Sequence, residues 1–346
     1  MRQNRKKFSI CIPAYNRARY LPSLLDSAFA QDYKNFDIVI CEDRSPERDQ
    51  IAAIATSYAR RFPGTIFYYE NDSNLGYDAN IRNLVDKATG EYCFFMGNDD
   101  LMCSGALAHV ADIISRHDSA GLVLKSYAWF DNSPEHINQE VRYFNDQRVF
   151  AAGREAITIC FRRSGVISGY IVHRDKAHAA ATDKFDGTLV YQMHLTAHVL
   201  ADSCAVFTPK VLVLCRNGEP PEFGRSDREK GKYVPGYYTP QARLNMVGGA
   251  LAILRELKES KNIDLIEEVT RDYANYFYPC IRDQLRLPLR TFVSLYRSFG
   301  KMGFNKYPMF HLYFAAGYVL GQNNFDTITR TIRNFLGRSP RFGALR

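Results

Sequence analysis

The sequence predicts an α/β chain, with a mostly parallel sheet wound by helices and a helical C-terminal extension. Three observations carry that expectation. Short apolar runs at 8–12, 36–41, 65–69 and 92–96 alternate with helically spaced segments about every 25 to 30 residues, the rhythm of βα units. The runs end in polar or turn-forming residues. Beyond residue 240 the strand-like runs stop and helical periodicity takes over. With 346 residues, 46% hydrophobic and 24% charged, the chain can build one large domain with an appendage.

The elements follow in order. Residues 8–12 form an apolar run ended by Pro13, and 20–30 carry apolar side chains at helical spacing. Residues 36–41 read as a second strand, closed by the turn cluster Glu42-Asp43-Arg44-Ser45-Pro46. A helix over 51–62, a strand over 65–69, a polar turn over 71–76 and a helix over 78–88 come next, with Gly90 as a stop. The run Tyr92-Cys93-Phe94-Phe95-Met96 then leads into Gly97-Asn98-Asp99-Asp100, and a helix is expected from near Ser104. Further strands are expected at 121–130, 168–172 and 205–215, with a polar excursion over 131–147 and a helix over 189–200. Residues 217–240 mix glycine, proline and charge, the composition of a flexible lid or linker. Helices over 241–258 and 265–287 precede a basic, aromatic tail. The chain thus divides into a sheet domain at 1–216, a lid or linker at 217–240, and a helical, basic region at 241–346.

The formal net charge is +8, yet residues 281–346 alone carry +9, so the rest of the chain is close to neutral. A basic tail suits an anionic membrane surface or nucleic acid; a solvated helical face is the plainer alternative. The eight cysteines form no Cys-x-x-Cys pair, and several lie inside apolar runs. That usage favours a reducing compartment over a disulfide scaffold. The apolar run after the basic N-terminus stops at Pro13, too short for a signal-peptide core. No run approaches the ~20 residues of a membrane-spanning helix. A cytoplasmic protein is expected.

Adjacent carboxylates at the end of a buried strand project into the crevice at the carboxyl edge of a parallel sheet. They repel each other unless a cation lies between them, so Asp99 and Asp100 are candidate ligands for Mg²⁺ or Mn²⁺ carrying phosphate oxygens. The bland alternative is a solvated turn capping the next helix. The other strand ends present Tyr15 and Asn16, then Glu42 and Asp43, then Asn74-Leu75-Gly76. Polar groups at four consecutive strand ends describe a nucleotide-binding crevice. The first βα turn, Pro13-Ala14-Tyr15-Asn16-Arg17, lacks Gly-x-Gly-x-x-Gly, and no Gly-Lys-Ser/Thr loop occurs. Both absences argue against a dinucleotide fold and a P-loop ATPase.

Several segments together resemble family 2 glycosyltransferases of the GT-A fold, a Rossmann-like architecture. Ser9-Ile10-Cys11-Ile12-Pro13-Ala14-Tyr15-Asn16 is similar to the family's opening strand, and Ile38-Val39-Ile40-Cys41-Glu42-Asp43-Arg44-Ser45 to its second. Asn74-Leu75-Gly76 with Asn80, Arg82 and Asn83 resembles its Asn-x-Gly…Arg-Asn element, and Gly97-Asn98-Asp99-Asp100 sits where the family keeps Asp-x-Asp. The resemblance is specific over residues 8–105, weaker to 215, and nearest to the bacterial abequosyltransferase-like branch of surface-polysaccharide assembly. It implies that Pro13, Tyr15, Asn16, Glu42 and Asp43 frame the base and ribose of a nucleotide diphosphate sugar. It further implies that Asn74, Gly76 and Arg82 border the ribose and sugar-phosphate side, with Asn98 beside them. Asp99, with Asp100, would hold Mg²⁺ or Mn²⁺ on the diphosphate. Gly97 replaces the first acid of the motif, which predicts weaker metal dependence. Arg225 and neighbouring bases of the 217–240 loop would close over the diphosphate and exclude water.

Inverting members of that family carry an acid pair on a helix after the acceptor-side strand, to take the acceptor's proton. Here the matching stretch, Phe185-Asp186-Gly187-Thr188-Leu189-Val190-Tyr191-Gln192-Met193-His194, has Tyr191-Gln192 where the pair is expected. Asp186, Asp183 and His194 are the candidate bases, and His194 is equally read as a core histidine or as a metal ligand. The implied activity is single-sugar transfer to a glycan or lipid-linked oligosaccharide of a bacterial surface polysaccharide. In the tail, the apolar segment 307–320, with Lys301, Lys306, Arg330, Arg333 and Arg338 around it, suits a peripheral site on the inner face of an anionic membrane. Nucleic acid is the less favoured partner. The alternative function is a non-catalytic nucleotide-sugar or glycan-binding module with a degraded site.

Overall fold

The computed structural model describes residues 6–336; the first five residues of the basic N-terminus and Arg338 lie outside them. Ten strands form one sheet: β1 (Phe8–Ala14), β2 (Phe36–Glu42), β3 (Ile66–Glu70), β4 (Tyr92–Phe95), β5 (Leu101–Met102), β6 (Ala120–Phe130), β7 (Ile137–Val141), β8 (Arg148–Phe150), β9 (Tyr170–His173) and β10 (Cys204–Arg216). The helices up to β10 are α1 (Leu21–Phe29), α2 (Arg48–Arg61), α3 (Tyr77–Lys87), α4 (Ala106–Arg116), α5 (Arg154–Cys160), α6 (Arg174–Ala179) and α7 (Tyr191–Ala201). Beyond β10 follow α8 (Pro240–Lys261), α9 (Ile266–Asn275), α10 (Tyr278–Ile281), α11 (Leu289–Lys301) and α12 (Pro308–Leu336), the last kinked at Gly321.

The strand order is β3-β2-β1-β4-β9-β6-β10-β5, with β7 on the edge of β6 and β8 on β10. β3, β2, β1 and β4 are mutually parallel, as are β6 and β10. β9 runs antiparallel to both β4 and β6 and joins the two parallel blocks. The chain winds outward from β1 through β3, then crosses back to place β4 on the other side of β1. That reversal opens a crevice at the carboxyl ends of β1 and β4, the usual ligand position in such sheets. β1 and β2 are buried almost throughout, which is why they read as unbroken apolar runs.

Four local expectations are corrected. Pro13 does not end its strand: Cys11 O accepts from Met96 N on the β4 side, so two residues on the proline faces beyond the last β4 pairing, where no N–H is needed. The polar excursion at 131–147 contains β7, an outer strand antiparallel to β6. The expected helix over 265–287 breaks at Tyr276, whose φ of −144° and ψ of 64° leave the helical region, with Pro279 opening the next turn. Residues 217–240 are not structureless. They fold against the carboxyl edge of the sheet and bury Ser226, Glu229 and Tyr233.

The helices after residue 240 pack through an aromatic cluster in which Phe277 meets Phe299, Phe304, Phe310 and Phe314. They are also tied to the sheet domain by charge. Asp272 of α9 accepts from Arg162 Nε at 2.6 Å and from Arg163 Nη2 at 2.7 Å. All eight cysteines are free thiols, six of them buried. Among the described residues no helix is long and apolar enough to cross a membrane.

Candidate active site

At the end of β1 the backbone turns through two residues in the left-handed region, Asn16 at φ 53° and Arg17 at φ 61°. Neither is glycine, and such strain persists where the surroundings over-determine it, often at functional sites. Asn98 Nδ2 holds the turn by donating to Asn16 O at 2.7 Å. Arg17 then reaches across the crevice: Nη1 donates to Asp99 Oδ2 at 2.5 Å and Nη2 to Pro220 O at 2.6 Å. Asn16 Oδ1, Arg17 Nε, Ser45 Oγ and Ser226 Oγ are buried without a partner, polar capacity at this edge that the protein alone does not use.

The two acids at the end of β2 divide their work. Glu42 is wholly buried and accepts from Arg44 N at 3.0 Å, Ser45 N at 2.7 Å and Arg48 Nε at 2.5 Å. It shapes the turn and has no surface to offer a nucleotide, contrary to its expected role. Asp43 accepts from Leu75 N at 2.8 Å, Gly76 N at 2.9 Å and Asn71 Nδ2 at 2.8 Å. Burial pushes its carboxyl up to about 6 in spite of those donors. Asp43 thereby pins the Asn74-Leu75-Gly76 loop, while Asn74 Oδ1 accepts from Gly76 N at 3.0 Å. Asn80 and Asn83 complete a buried amide network through Asn71.

Asp99 and Asp100 have separate surroundings. Asp100 accepts from the Ser168 hydroxyl with one oxygen and from Arg216 N at 2.6 Å with the other. Burial raises its carboxyl to about 7, the neighbouring Asp99 charge adding to the effect. The Asp100–Ser168 pair also explains Gly97, where a Cβ would lie 3.0 Å from Asp100 Oδ2 and 3.1 Å from Ser168 Oγ. Asp99 faces Arg17 and is raised by burial against that opposing pull. Arg216 donates from Nε to Asp99 O at 3.2 Å, and its guanidinium lies 4.1 Å from the Tyr20 ring. Asp99 is thus the acid of the pair whose charge meets side-chain cations, and Asp100 is held by a hydroxyl and a backbone amide.

The loop at 217–240 roofs this edge. Glu229 accepts from Tyr77 N at 2.9 Å and Gly224 N at 2.7 Å. Gly76, at φ 84°, has no room for a side chain: a Cβ there would stand 2.4 Å from Ser226 Oγ. On the other side, Tyr233 donates to the carbonyls of Gly187 and Thr188. Beside the loop lies an open cleft of about 700 Å³, lined by Tyr15, Arg44, Ser45 and Asn74 from the strand ends and by Arg225 and Lys230 from the loop. Burial raises the Tyr15 hydroxyl, with Arg225 opposing the shift.

The acceptor-side residues do not converge there. Asp186 is clamped by Arg82, with Nη2 to Oδ2 at 2.9 Å and Nη1 to Oδ1 at 2.5 Å, so both groups are committed to each other. His194 is buried between α7 and α8, gives Nε2–H to Ala180 O at 2.7 Å, and is pushed down to about 4 by burial. Asp183 is exposed on the turn after α6. At the expected acid pair, Tyr191 OH accepts from Thr182 N at 3.2 Å and Gln192 Nε2 donates to Gly165 O at 2.9 Å. A group missed in the sequence is Asp78, buried and raised by burial to about 7, which accepts from the backbone N–H groups of Thr188, Leu189 and Tyr191. Arg17, Ser168, Arg216 and Glu229 were missed too; only Arg17 lay beside a motif that signalled it.

Residues 9–172 match the family described as "Glycosyl transferase family 2". The abequosyltransferase RfbV of Salmonella typhimurium is 37% identical over 100 residues, 29% of this chain and 30% of that protein. The amylovoran biosynthesis glycosyltransferase AmsB of Erwinia amylovora is 34% identical over 116 residues, 33% of this chain and 38% of its own. The matched stretch therefore spans well under half of these relatives. Among solved structures, S. aureus TarS 1–349 in complex with UDP-GlcNAc superposes with a TM-score of 0.62 at 17% identity, covering 97% of this chain and 94% of that one. The mannosyltransferase PcManGT of Pyrobaculum calidifontis, in complex with GDP-Man and Mn²⁺, gives 0.51 at 13% identity over 97% and 88%. These similarities fix the fold as GT-A.

Proposed function

We propose that this chain, which belongs to glycosyl transferase family 2 through residues 9–172, moves one sugar from a nucleotide diphosphate sugar to a hydroxyl of a bacterial surface glycan. The observation that carries the reading is the open cleft of about 700 Å³ at the strand ends, with Tyr15 and Asn74 on the sheet side and Arg225 and Lys230 on the loop side. Its size and mixed lining suit a base and ribose, and its cations suit a diphosphate. The relatives' names, an abequosyltransferase and an amylovoran biosynthesis enzyme, support a polysaccharide product.

A divalent ion fits the acid pair. Two adjacent carboxyls, each under a tenth exposed and both raised by burial, have less compensating charge than they need. Asp99 would be the protein ligand for Mg²⁺ or Mn²⁺, with phosphate and water oxygens as the others, since Asp100 is engaged by Ser168 and Arg216. When bound, the ion stabilises negative charge on the departing nucleoside diphosphate. Arg17 sits against Asp99 and serves the same charge from the protein side. The loop, anchored by Glu229, is placed to close over a bound donor and keep out water, the competing acceptor that would turn transfer into hydrolysis. Arg82 and Asp186 act as a positioning pair that fixes the turn leading to α7. At the far end of the chain, the exposed Leu312 and Val319 of α12, with Lys301, Lys306 and Arg330 exposed nearby, support docking on an anionic membrane that carries a lipid-linked acceptor.

The test is release of nucleoside diphosphate from a panel of UDP-, GDP-, dTDP- and CDP-sugars with Mn²⁺. Turnover of one donor, reduced about 100-fold or more in Asp99→Asn, is the expected result. Binding of a donor without turnover, unchanged by Asp99→Asn, would identify a non-catalytic binding module instead.

A further inference from the structure

α7 carries His194 and His198 one turn apart, which puts both imidazoles on one face of the helix. That face packs on α8, from which Glu256 reaches His198, Nε2 to Oε2 at 2.7 Å. The two rings lie 4.4 Å apart at 45°. One ligand atom from each of His194, His198 and Glu256 falls within 4.8 Å of the others. His194 has a further property: its Nε2–H is spent on Ala180 O at 2.7 Å, which leaves Nδ1 as the lone-pair nitrogen. That Nδ1 is buried without a hydrogen-bond partner, although the residue is only 2% exposed.

From this arrangement we propose a second metal site, separate from Asp99, in which His194 Nδ1, His198 and Glu256 bind Zn²⁺. Two imidazoles and one carboxylate are a borderline donor set that suits zinc better than magnesium or calcium. The backbone carbonyl holding the far nitrogen of His194 is the outer support that zinc-bound imidazoles regularly have. A water completes the coordination. The ion would staple α7, which covers the sheet, to α8, the first helix beyond the roof loop. His194 is then neither a catalytic base nor an idle core residue; it is a structural ligand.

The experiment uses the full chain stripped with a chelator and titrated with Co²⁺ and Zn²⁺. One equivalent of Co²⁺ is expected to give the visible absorption of a four-coordinate N/O site, displaced by Zn²⁺, and Zn²⁺ is expected to raise Tm by several degrees. Both signals should persist in Asp99→Asn. They should be lost in His198→Ala and in Glu256→Gln, with Zn²⁺ affinity down about 100-fold or more. Should His198→Ala fail to fold, Glu256→Gln, which keeps the side chain's size, carries the test. Absence of the absorption band in the wild-type chain, or its loss in Asp99→Asn with retention in Glu256→Gln, would overturn the proposal. The three residues would then be a hydrogen-bonded helix contact only.

Discussion

Asp186 shows how a side chain's commitments decide its chemistry. Both oxygens of this carboxylate accept from the Arg82 guanidinium, so the side chain is committed to that ion pair and is not turned toward an acceptor hydroxyl. Asp186→Ala should therefore cost about 2 to 3 kcal/mol of stability, the scale of charged hydrogen bonds lost with a partner stranded. A double-mutant cycle with Arg82→Ala, followed by denaturant unfolding, should return most of that as coupling energy; additive effects would refute the clamp. Asp100 offers the complementary case. Its carboxyl, raised to about 7, is protonated over part of the working range, and Asp100→Asn keeps an acceptor for Arg216 N. That variant should fold, and its stability should vary less between about pH 4 and pH 7 than that of the parent chain.

At the scale of elements, the roof loop is positioned by what its neighbours lack. Gly76→Ala places a methyl group 2.4 Å from Ser226 Oγ at a φ of 84°, so the roof must lift. We expect the donor KM to rise about tenfold and the ratio of hydrolysis to transfer to increase, read by comparing nucleotide release with glycan product. Much of this layer was legible in the sequence. β1, β2 and β4 are buried on both faces and read as continuous apolar runs; at the sheet's carboxyl edge Tyr15 after β1, Arg44 and Ser45 after β2 and Asn74 after β3 line the cleft. The direction of β9 was not legible, because pairing sense depends on neighbours brought in from afar. Nor was the burial of Glu229, since a charged loop looks solvated until its partners, the amides of Tyr77 and Gly224, are in place. The break at Tyr276 was hidden for a related reason: aromatic residues continue the apolar period across it, and tertiary packing chose the kink.

For the molecule as a whole, buried acids give stability a definite pH profile. Asp43, Asp78 and Asp100 have carboxyls raised in the folded state to about 6, 7 and 7. Their contribution is complete below the unfolded value near 4 and is lost as pH rises through 6 to 7. Asp272, held well below the usual carboxylate range by Arg162 and Arg163 against its own burial, acts in the opposite sense. Its contribution is present above about pH 4 and is lost on further acidification. Calorimetry without added metal should therefore find maximal Tm near about pH 5 and a decline toward neutrality; a maximum above pH 8 would contradict these assignments. The free cysteines bear on how the chain opens. Cys11 and Cys93 lie on adjacent strands at the centre of the sheet, and burial holds the Cys11 thiol far above its ordinary value, as it does Cys215 at the sheet's other block. Cys280, in the C-terminal helices, is pushed up to about 11. None of these four buried thiols is open to a reagent without local or global opening. Labelling with a thiol reagent under native conditions is thus a set of internal clocks, one for each block of the fold. Their order of modification would reveal which part of the molecule lets go first.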